Sequence, residues 1–339
     1  MSAPDAIAVV IVVHHSAPEL RRTLPALASQ LQPDDEVIVV DNAGDPQDVA
    51  LVHETIPQAI VVHAPRNLGF AGGANLGAEH AQAPLLLLLN PDATPAPDCL
   101  TQLRQAATNH PDWGAFQALV TLDGGTTVNT AGNRLHWLGF GWAGDLGTPT
   151  SQTPRHDREV GFASGAALLV RTQAWTQAQG FDPDYFLYCE DVDLTLRLRL
   201  RGWRVGIAPT ATVDHAYEFD KGDYKWFYLE RNRWWTILAD YPPTLLAVAL
   251  PALLAAELAL LAVAARGGWL PAKLRANAAV LRSLPAVRAR RRTVQRTRTT
   301  SAKQFAEHLT DALDSPNLSL PEPINRAQRA YWRAAQRLL

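Results

Sequence analysis

The sequence predicts an α/β fold, in which a mostly parallel sheet is flanked by helices and followed by a helical C-terminal extension. The first observation is that apolar stretches of strand length alternate with amphipathic stretches of helix length between residues 7 and 92. The second is the run of leucines at Leu85–Leu89. Such a run is too short for a membrane span and too uniform for a half-exposed strand. It therefore predicts the central strand of the sheet, buried on both faces.

The elements follow in chain order. Four strands are predicted at Ile7–Val13, Glu36–Val40, Ile60–His63 and Leu85–Leu89. Four helices are predicted in this region. The first runs from Pro18 to about Leu31, the second follows Asp41-Asn42 and ends near Ile56, the third follows the glycine-rich loop and ends near Ala81, and the fourth runs from Pro97 to about Asn109. After Trp113 the pattern changes, and residues 121–160 predict irregular structure and short antiparallel strands, with a hairpin turn at Asp123-Gly124-Gly125. Further strands are predicted at Ala166–Arg171, Trp203–Ile207 and Thr212–His215, and further helices from Glu190 to about Arg201 and at Asp223–Tyr241.

Charge and cysteine content restrict the cellular setting. The net charge of −2 hides an asymmetry, because residues 266–303 contain eleven Lys and Arg and no Asp or Glu. Two cysteines form neither a disulfide framework nor a zinc-binding spacing, which favours a reducing compartment. The N-terminus lacks the charged start and the long apolar run of a secretion signal. These features predict a cytoplasmic protein.

The segment Thr244–Ala265 is apolar except for Glu257 and is interrupted by Pro251. Two interpretations stay open with similar weight. The segment and the basic tract after it lie on the inner face of the cell membrane, since anionic headgroups attract such tracts. Otherwise the segment packs as a helical subdomain on the catalytic core or in a homodimer interface. A full membrane span is less favoured, and nucleic-acid binding is not expected because no nucleic-acid motif accompanies the arginines.

Two carboxylates follow predicted strands. Asp41 ends the second strand and Asp92 follows the fourth, after Asn90-Pro91. The carboxyl edge of an open α/β sheet is where ligands bind, and a carboxylate there can hold a hard cation and, through it, a phosphate. For Asp41 a turn or a helix cap is an equally good interpretation.

A glycine-rich stretch, residues 67–75, opens the helix after the third strand. Its backbone N–H groups suit a phosphate or sugar hydroxyls, and the alternative is tight packing of the helix on a strand. Further along, Glu190-Asp191-Val192-Asp193 opens a helix, where acids also favour the helix dipole. An Asp that faces a cleft there can accept a proton from a hydroxyl. His215 ends a short strand and is either structural or a partner of Asp92 on a metal.

Several motifs occur in one order along residues 6–240, and in that order they resemble the family 2 inverting glycosyltransferases with a GT-A fold, especially the rhamnosyltransferase-like branch. Besides the first strand and its loop, they are Val39-Val40-Asp41-Asn42, Asn67-Leu68-Gly69-Phe70-Ala71-Gly72-Gly73-Ala74-Asn75, Leu89-Asn90-Pro91-Asp92, Ser164-Gly165-Ala166, Gly180-Phe181-Asp182, Glu190-Asp191-Val192-Asp193 with Arg197 and Gly202, His215, and Arg231-Asn232. The resemblance implies a Rossmann-like GT-A catalytic domain over residues 1–240. An apolar and then basic helical segment, 241–304, and a tail, 305–339, would follow it.

The resemblance also implies roles for residues of this sequence. It implies transfer of a sugar from a nucleoside-diphosphate donor, dTDP-rhamnose before a UDP-sugar, to a hydroxyl of a glycan or lipid-linked acceptor. Asp191 would be the general base, Glu190, Asp193 and Gly165 would contact or position the acceptor, and Asp92 and His215 would hold Mg²⁺ or Mn²⁺. The donor would be bound by His14, Asp41, Asn67, Gly69, Asn75, Asn90, Asp92 and Arg231.

Two departures from the family pattern bear on the donor. Asn90 stands where the first Asp of the metal motif is usual, and His14-His15 stands where the branch carries Tyr-Asn. Two alternatives to a glycosyltransferase are a sugar nucleotidyltransferase and a catalytically weak homologue that binds glycans or membranes. The first should have a glycine-rich loop after the first strand, and here that loop has no glycine. The second is disfavoured because Asp92, Asp191 and His215 are all present.

Overall fold

A computed structural model describes residues 3, 5–215, 222, 224–315, 318–319 and 321–339. The chain divides into two compact units. The first comprises residues 1–133, 143–198 and 203–218, and the second comprises residues 134–142, 199–202 and 219–339. The boundaries that we predict at 240 and 304 concern function, and they stay predictions.

The first unit is built on one large sheet. In spatial order its main path runs β10-β12-β6-β11-β4-β1-β2-β3, with β5 beside β12 and β7 beside β6. The pairs β1–β2, β2–β3, β1–β4 and β6–β12 are parallel, whereas β11 is antiparallel to both of its neighbours. The strands are β1 (Ile7–Val13), β2 (Glu36–Asp41), β3 (Ile60–His63), β4 (Leu85–Leu89), β5 (Ala93–Pro95), β6 (Trp113–Leu122), β7 (Thr127–Thr130), β10 (Arg158–Glu159), β11 (Ala167–Arg171) and β12 (Arg204–His215), and β8 and β9 belong to the second unit.

Helices flank this sheet, so the predicted α/β fold with a mostly parallel sheet is confirmed. They are α1 (Ala17–Ala28), α2 (Pro46–Thr55), α3 (Gly69–Ala78), α4 (Cys99–Asn109), α5 (Thr172–Ala178) and α6 (Glu190–Leu200), the last of which ends in the second unit. All five leucines of β4 are buried, between β1 on one side and β11 on the other. Burial on both faces explains why this strand shows no alternation of polar and apolar residues.

Two predictions about strands have definite outcomes. The turn at Asp123–Gly125 does connect an antiparallel pair, β6 and β7. The prediction of two separate strands at residues 203–207 and 212–215 was wrong, because β12 is one strand that pairs with β6 along its length. Its register shifts between Ala208 and Thr212, around Pro209, which cannot donate to the ladder. The proline therefore interrupts the pairing without ending the strand.

The second unit is mainly helical. Its helices are α7 (Tyr224–Asp240), α8 (Pro243–Arg266), α9 (Leu270–Arg296), α10 (Ala302–Ala306) and α11 (Glu322–Gln336), and its strand pairs are β8 (Arg134–Leu135) with β9 (Gly141–Trp142) and β13 (Asp314–Ser315) with β14 (Leu318–Ser319). The helical C-terminal extension is thus confirmed. Asp223, where we predicted that the aromatic helix begins, lies outside the described residues.

Among the described residues, α8 alone is long and apolar enough to cross a membrane, judged by length and composition. Its one charged residue before Arg266 is Glu257, which belongs to a cluster of charges. Glu257 bonds to Lys273 of α9, and it accepts hydrogen bonds from Arg233 and from the Trp234 indole of α7, each at 3.0 Å. The cluster therefore connects three helices of this unit.

Candidate functional site

The carboxyl end of β4 carries the first predicted site residues. The N–H of Asn90 donates to the Ala166 carbonyl at 2.9 Å, which ties the chain leaving β4 to the start of β11. Next, β5 pairs with the end of β12, and the register sets His215 opposite Ala93. As a result, Asp92 Oδ1 lies 3.0 Å from His215 Nε2, and the side-chain amide of Asn90 lies 3.5 Å from the same nitrogen. Three predicted residues from two distant parts of the sequence thus meet at one sheet edge.

These three side chains offer one carboxylate, one imidazole and one amide. That donor set suits Mn²⁺ or Mg²⁺, and the Asp92 side chain is partly exposed, so a ligand can reach it. Within the described ranges no cluster of three His, Cys, Asp or Glu side chains could hold a metal. A cation held by these residues would take its remaining ligands from water and from substrate phosphates, as Mg²⁺ usually does.

Asp41 has its oxygens engaged in the turn after β2. Its Oδ1 accepts the N–H of Gly44 at 2.7 Å and those of Ala43 and Asp45 at longer range, and its Oδ2 lies 2.9 Å from His63 Nδ1. Burial raises the pKa of Asp41, but the hydrogen bonds from His63 and from these backbone amides outweigh it and leave the pKa below its ordinary value. These contacts match the turn interpretation, and a contact with the donor stays a prediction.

The residue beside it, Asn42, holds the glycine-rich stretch. Its amide nitrogen donates to Asn67 Oδ1 at 3.1 Å and to the Gly69 carbonyl at 3.2 Å, while its oxygen accepts the N–H of Leu68 at 2.8 Å. Asn67 in turn accepts the N–H of Gly69 at 2.8 Å. Asn42 belongs to the motif Val39-Val40-Asp41-Asn42, for which no role of Asn42 was predicted. The signal was its position directly after Asp41, at the same strand end.

Glycines of this stretch lie inside α3, and packing explains several of them. A Cβ on Gly73 would approach Val12 Cγ1 to 2.6 Å, so the helix packs closely on β1. Gly69 begins the helix with a φ of 69°, and a Cβ there would approach the Phe186 ring to 2.6 Å. The side chain of Asn75 bonds the Phe181 backbone twice, each time at 2.9 Å. The packing alternative therefore applies to Gly73, and α3 is fixed against the segment that leads to α6.

His14 and His15 form the loop after β1. Both side chains are exposed, and their ring centroids lie 4.8 Å apart at a steep angle. His15 Nδ1 lies 2.7 Å from Asp45, and the N–H of Ser16 donates to the buried carboxylate of Asp48 at 2.9 Å. The loop is thus fixed from α2 while the imidazole of His14 faces solvent. Asp48 was missed in our sequence analysis, since one Asp in a helix gives no sign of a distant backbone partner.

Asp191 lies at the start of α6 and is held by two backbone amides. The N–H of Gly165 donates to its Oδ2 at 3.2 Å, and the N–H of Val192 donates to its Oδ1 at 2.7 Å. Burial raises the pKa of Asp191 to about 6, although both amide bonds act to lower it. Gly165 is the residue just before Ala166, which bonds Asn90, so the carboxylates of Asp191 and Asp92 belong to the same sheet edge.

Glu190 is buried beside Asp191. Its Oε2 has no hydrogen-bond partner among the described residues. Burial, and then the charge of Asp191, raise the pKa of Glu190 well above its ordinary value. A contact between Glu190 and an acceptor stays a prediction.

Asp193 is fully buried and stabilises the fold of this segment. Its Oδ2 accepts two hydrogen bonds from Arg197, the shorter at 2.6 Å, and Tyr185 Oη lies 3.3 Å from its Oδ1. Arg197 also donates to the Gly180 carbonyl at 2.7 Å. These contacts give no support to our prediction that Asp193 contacts the acceptor. They account for the Asp193 and Arg197 spacing, because residues four apart meet on a helix.

The chain enters α6 through a strained backbone. Phe186, Tyr188 and Cys189 have φ values of 65°, 66° and 63°, in the left-handed region that side chains disfavour. Each such residue costs on the order of 1–3 kcal/mol and persists where the surroundings hold it. The Phe186 carbonyl accepts the N–H of Ala71 from α3 at 3.3 Å. The strain therefore lies directly before the predicted base and next to the predicted donor loop.

Arg231 lies on α7, in the second unit. There its guanidinium stacks over the rings of Trp235 at 4.1 Å and Tyr228 at 4.9 Å, and its Nε donates to Asn232 at 2.8 Å. The predicted contact between Arg231 and a diphosphate thus stays a prediction.

Comparison with known proteins identifies the family. Residues 4–236 match the family model described as glycosyltransferase like family 2, and the chain belongs to that family. It is 30% identical over 233 residues to the N-acetylglucosaminyl-diphospho-decaprenol L-rhamnosyltransferase of Mycobacterium tuberculosis. The matched region covers 62% of this chain and 76% of that protein. It is 36% identical over 93 residues to the rhamnosyltransferase WbbL of Escherichia coli K12, covering 26% of this chain and 34% of that one.

A solved structure supports the fold assignment. The crystal structure of GalNAc-T7 with UDP, GalNAc and Mn²⁺ matches with a TM-score of 0.58 at 14% identity, over 70% of this chain and 48% of that one. The GT-A resemblance is thus confirmed at the level of the fold. The protein is a glycosyltransferase similar to rhamnosyltransferases, and the sugar nucleotidyltransferase alternative is set aside.

Proposed function

We propose that the first unit moves a sugar from a nucleoside-diphosphate donor to an acceptor hydroxyl, with inversion at the anomeric carbon and with Asp191 as the general base. One observation supports this most directly: a carboxylate with a raised pKa is fixed by the Gly165 amide beside the strand end that carries Asp92. In the proposed reaction the acceptor O–H gives its proton to Asp191. The acceptor oxygen bonds to the anomeric carbon as the bond to the diphosphate breaks, and the diphosphate leaves with the electron pair.

The proposed base suits this role in two respects. With a pKa of about 6, Asp191 is ionised near neutral pH and is a stronger base than an ordinary Asp. Its two amide bonds use one lone pair on each oxygen, so each oxygen can accept another proton or hydrogen bond. The carboxylate is therefore oriented and still available.

On the donor side, Asp92 and His215 would hold Mg²⁺ or Mn²⁺, and the metal would supply charge stabilisation for the leaving diphosphate. Asn90 would contribute an amide where a second carboxylate would bind the cation more strongly, so we expect weak metal binding without nucleotide. Asn67, Gly69 and Asn75 would shape the donor loop, Asp41 and His14 would lie toward the nucleoside, and Arg231 would reach the diphosphate. Glu190, Asp193 and Gly165 would complete the acceptor side.

For the substrates we propose dTDP-rhamnose as donor, a UDP-sugar as the second candidate, and a glycan or lipid-linked acceptor. Both named relatives are rhamnosyltransferases, and the name of one states a decaprenol-linked acceptor. We place the reaction in the cytoplasm, at the inner face of the cell membrane.

A thermal-shift screen tests the proposal. Nucleotide sugars, the free nucleoside diphosphates and the monophosphates are added with Mn²⁺, with Mg²⁺ and with EDTA. A ligand at 100 times its Kd stabilises the folded state by about 2.7 kcal/mol, so the donor should give a clear rise in Tm. We expect dTDP-rhamnose with metal to give the largest rise. If no nucleotide sugar raises Tm more than the corresponding nucleoside monophosphate in any metal condition, the proposed donor site is wrong.

A further inference from the structure

Exposed apolar side chains are concentrated on the helices of the second unit. On α8, Leu250, Leu254 and Leu258 are 42%, 54% and 71% exposed, and Val263 is exposed as well. These leucines recur every four residues and so form one stripe along the helix. The other exposed positions of α8 before Arg266 are alanine, proline and threonine. The outward face of α8 therefore carries no charge over about 30 Å of its length, at 1.5 Å per residue.

The inward face of α8 carries the charge instead. Leu245, Ala249, Leu253, Leu260 and Ala264 are buried and form its seam with the rest of the unit. Glu257 lies between the buried residues Leu253 and Leu260 of this seam. Its carboxylate bonds to Arg233, Trp234 and Lys273. The polarity of α8 is thus the reverse of that expected for a surface helix, in which charges face water.

The neighbouring helices also expose apolar side chains. On α9, Leu274 and Leu281 are exposed together with Arg275 and Arg282. Along α11 and just after it, the exposed residues Ile324, Tyr331 and Leu338 recur every seven residues, and Tyr331 Oη donates to the Val248 carbonyl of α8 at 2.6 Å. The apolar stripe of α11 thus borders α8. We call these exposed residues of α8, α9 and α11 the apolar face.

The segment that carries the apolar face has an excess of positive charge. Residues 241–339 contain fifteen Lys and Arg and five Asp and Glu, whereas the chain as a whole has a net charge of −2. Four of these arginines lie on α11 or directly after it, at positions 326, 329, 333 and 337. An apolar stripe flanked by arginines complements a bilayer surface with anionic headgroups, which attracts basic segments.

We propose that the apolar face docks on the surface of an anionic bilayer, with α8 lying in the plane of the interface. A span by α8 would remove its buried seam and separate Glu257 from its cationic partners, which costs several kcal/mol. A second copy of the chain is disfavoured as the occupant, because a twofold interface would set the basic α9 and α11 against themselves. The inference is independent of the transferase activity.

Vesicle sedimentation of the full chain tests this proposal. The vesicles are phosphatidylcholine alone or phosphatidylcholine with phosphatidylglycerol, at low and high salt. We expect binding to the anionic vesicles that weakens as salt increases. The double variant Leu254→Gln/Leu258→Gln should reduce the bound fraction under all conditions. Arg275→Gln/Arg282→Gln should weaken binding to the vesicles that contain phosphatidylglycerol, by roughly fivefold for each arginine. It should leave binding to the phosphatidylcholine vesicles unchanged.

The matched control is Ile60→Gln, an exposed apolar residue of the first unit, which should bind like the original chain. Thermal unfolding of each variant confirms that it folds. Absence of binding to anionic vesicles at low salt overturns the proposal, and so does binding that Leu254→Gln/Leu258→Gln leaves unchanged. A dimer in light scattering that this double variant dissociates, without vesicle binding, would show that a second copy covers the face instead.

Discussion

The charge cluster of the second unit allows a quantitative prediction for Lys273→Met. Lys273 is fully buried, and its ammonium group bonds to Glu230 and Glu257, which also bond Arg233 at 3.2 and 3.0 Å. Two cations thus balance two carboxylates. Removing one partner of a buried ion pair typically costs about 3–5 kcal/mol, because an uncompensated charge is left inside. At about 2–4 °C per kcal/mol, Tm should fall by roughly 6–20 °C.

Calorimetry or circular dichroism measures this shift, with Arg282→Met as the matched control. Arg282 is an exposed cation of the same helix, and its loss should change the free energy of unfolding by less than about 0.5 kcal/mol. In Lys273→Met/Glu257→Gln one cation again faces one carboxylate, so the double variant should be more stable than Lys273→Met. A Tm loss below about 2 °C in Lys273→Met, or a double variant less stable than the single one, refutes this balance of charges.

The same cluster predicts an acid sensitivity. Burial raises the pKa of Glu257, but the bond from Lys273 and the charge of Arg233 outweigh it and leave the pKa below its ordinary value. The stabilisation is therefore present above the unfolded pKa of about 4.3 and is lost as pH falls through the lower folded value.

Four further predictions concern the first unit. Asp191→Asn should lower kcat by roughly 10²–10⁴-fold with donor Kd unchanged, whereas the exposed control Asp34→Asn should keep both. In the original chain kcat/KM should be flat above pH 6 and fall tenfold per pH unit below it, because the base must be ionised; a profile flat down to pH 5 contradicts the assignment. Gly73→Ala should destabilise the fold by about 1–3 kcal/mol in denaturant titration, since its Cβ meets Val12; a gain in stability would disprove this packing. Asp92→Asn should abolish the extra Tm rise that Mn²⁺ gives with nucleoside diphosphate, and an unchanged rise excludes Asp92 as a ligand.

The sequence was sufficient to predict the parallel strands of the sheet and the strand ends that carry Asp41 and Asp92. The leucine run of β4 predicted the central strand, and the strand–helix alternation predicted the parallel strands β1, β2 and β3 beside it. Residues that follow parallel strands can also be placed in space, because the carboxyl ends of parallel strands lie at the same edge of a sheet. For that reason the sequence alone predicts that Asp41 and Asp92 lie at the same edge of the sheet.

Contacts made by the backbone could not be predicted in this way. The amide of Gly165 that holds Asp191 depends on β11 lying antiparallel beside β4, a pairing between distant segments. The orientation of α8 was equally hidden, because composition states how many apolar residues a helix has and not which face is covered. The buried seam of α8 and the partners of Glu257 decide that.

The antiparallel β11 has a further consequence for how this enzyme could diversify. The ladder between β4 and β11 fixes the spacing between the strand end that bears Asp92 and the amide that orients Asp191. Segments outside this ladder can then vary in length and sequence without changing the distance between the two carboxylates. We therefore expect that acceptor preference can be exchanged between relatives by grafting loops that lie outside the ladder, while β4 and β11 are left unchanged.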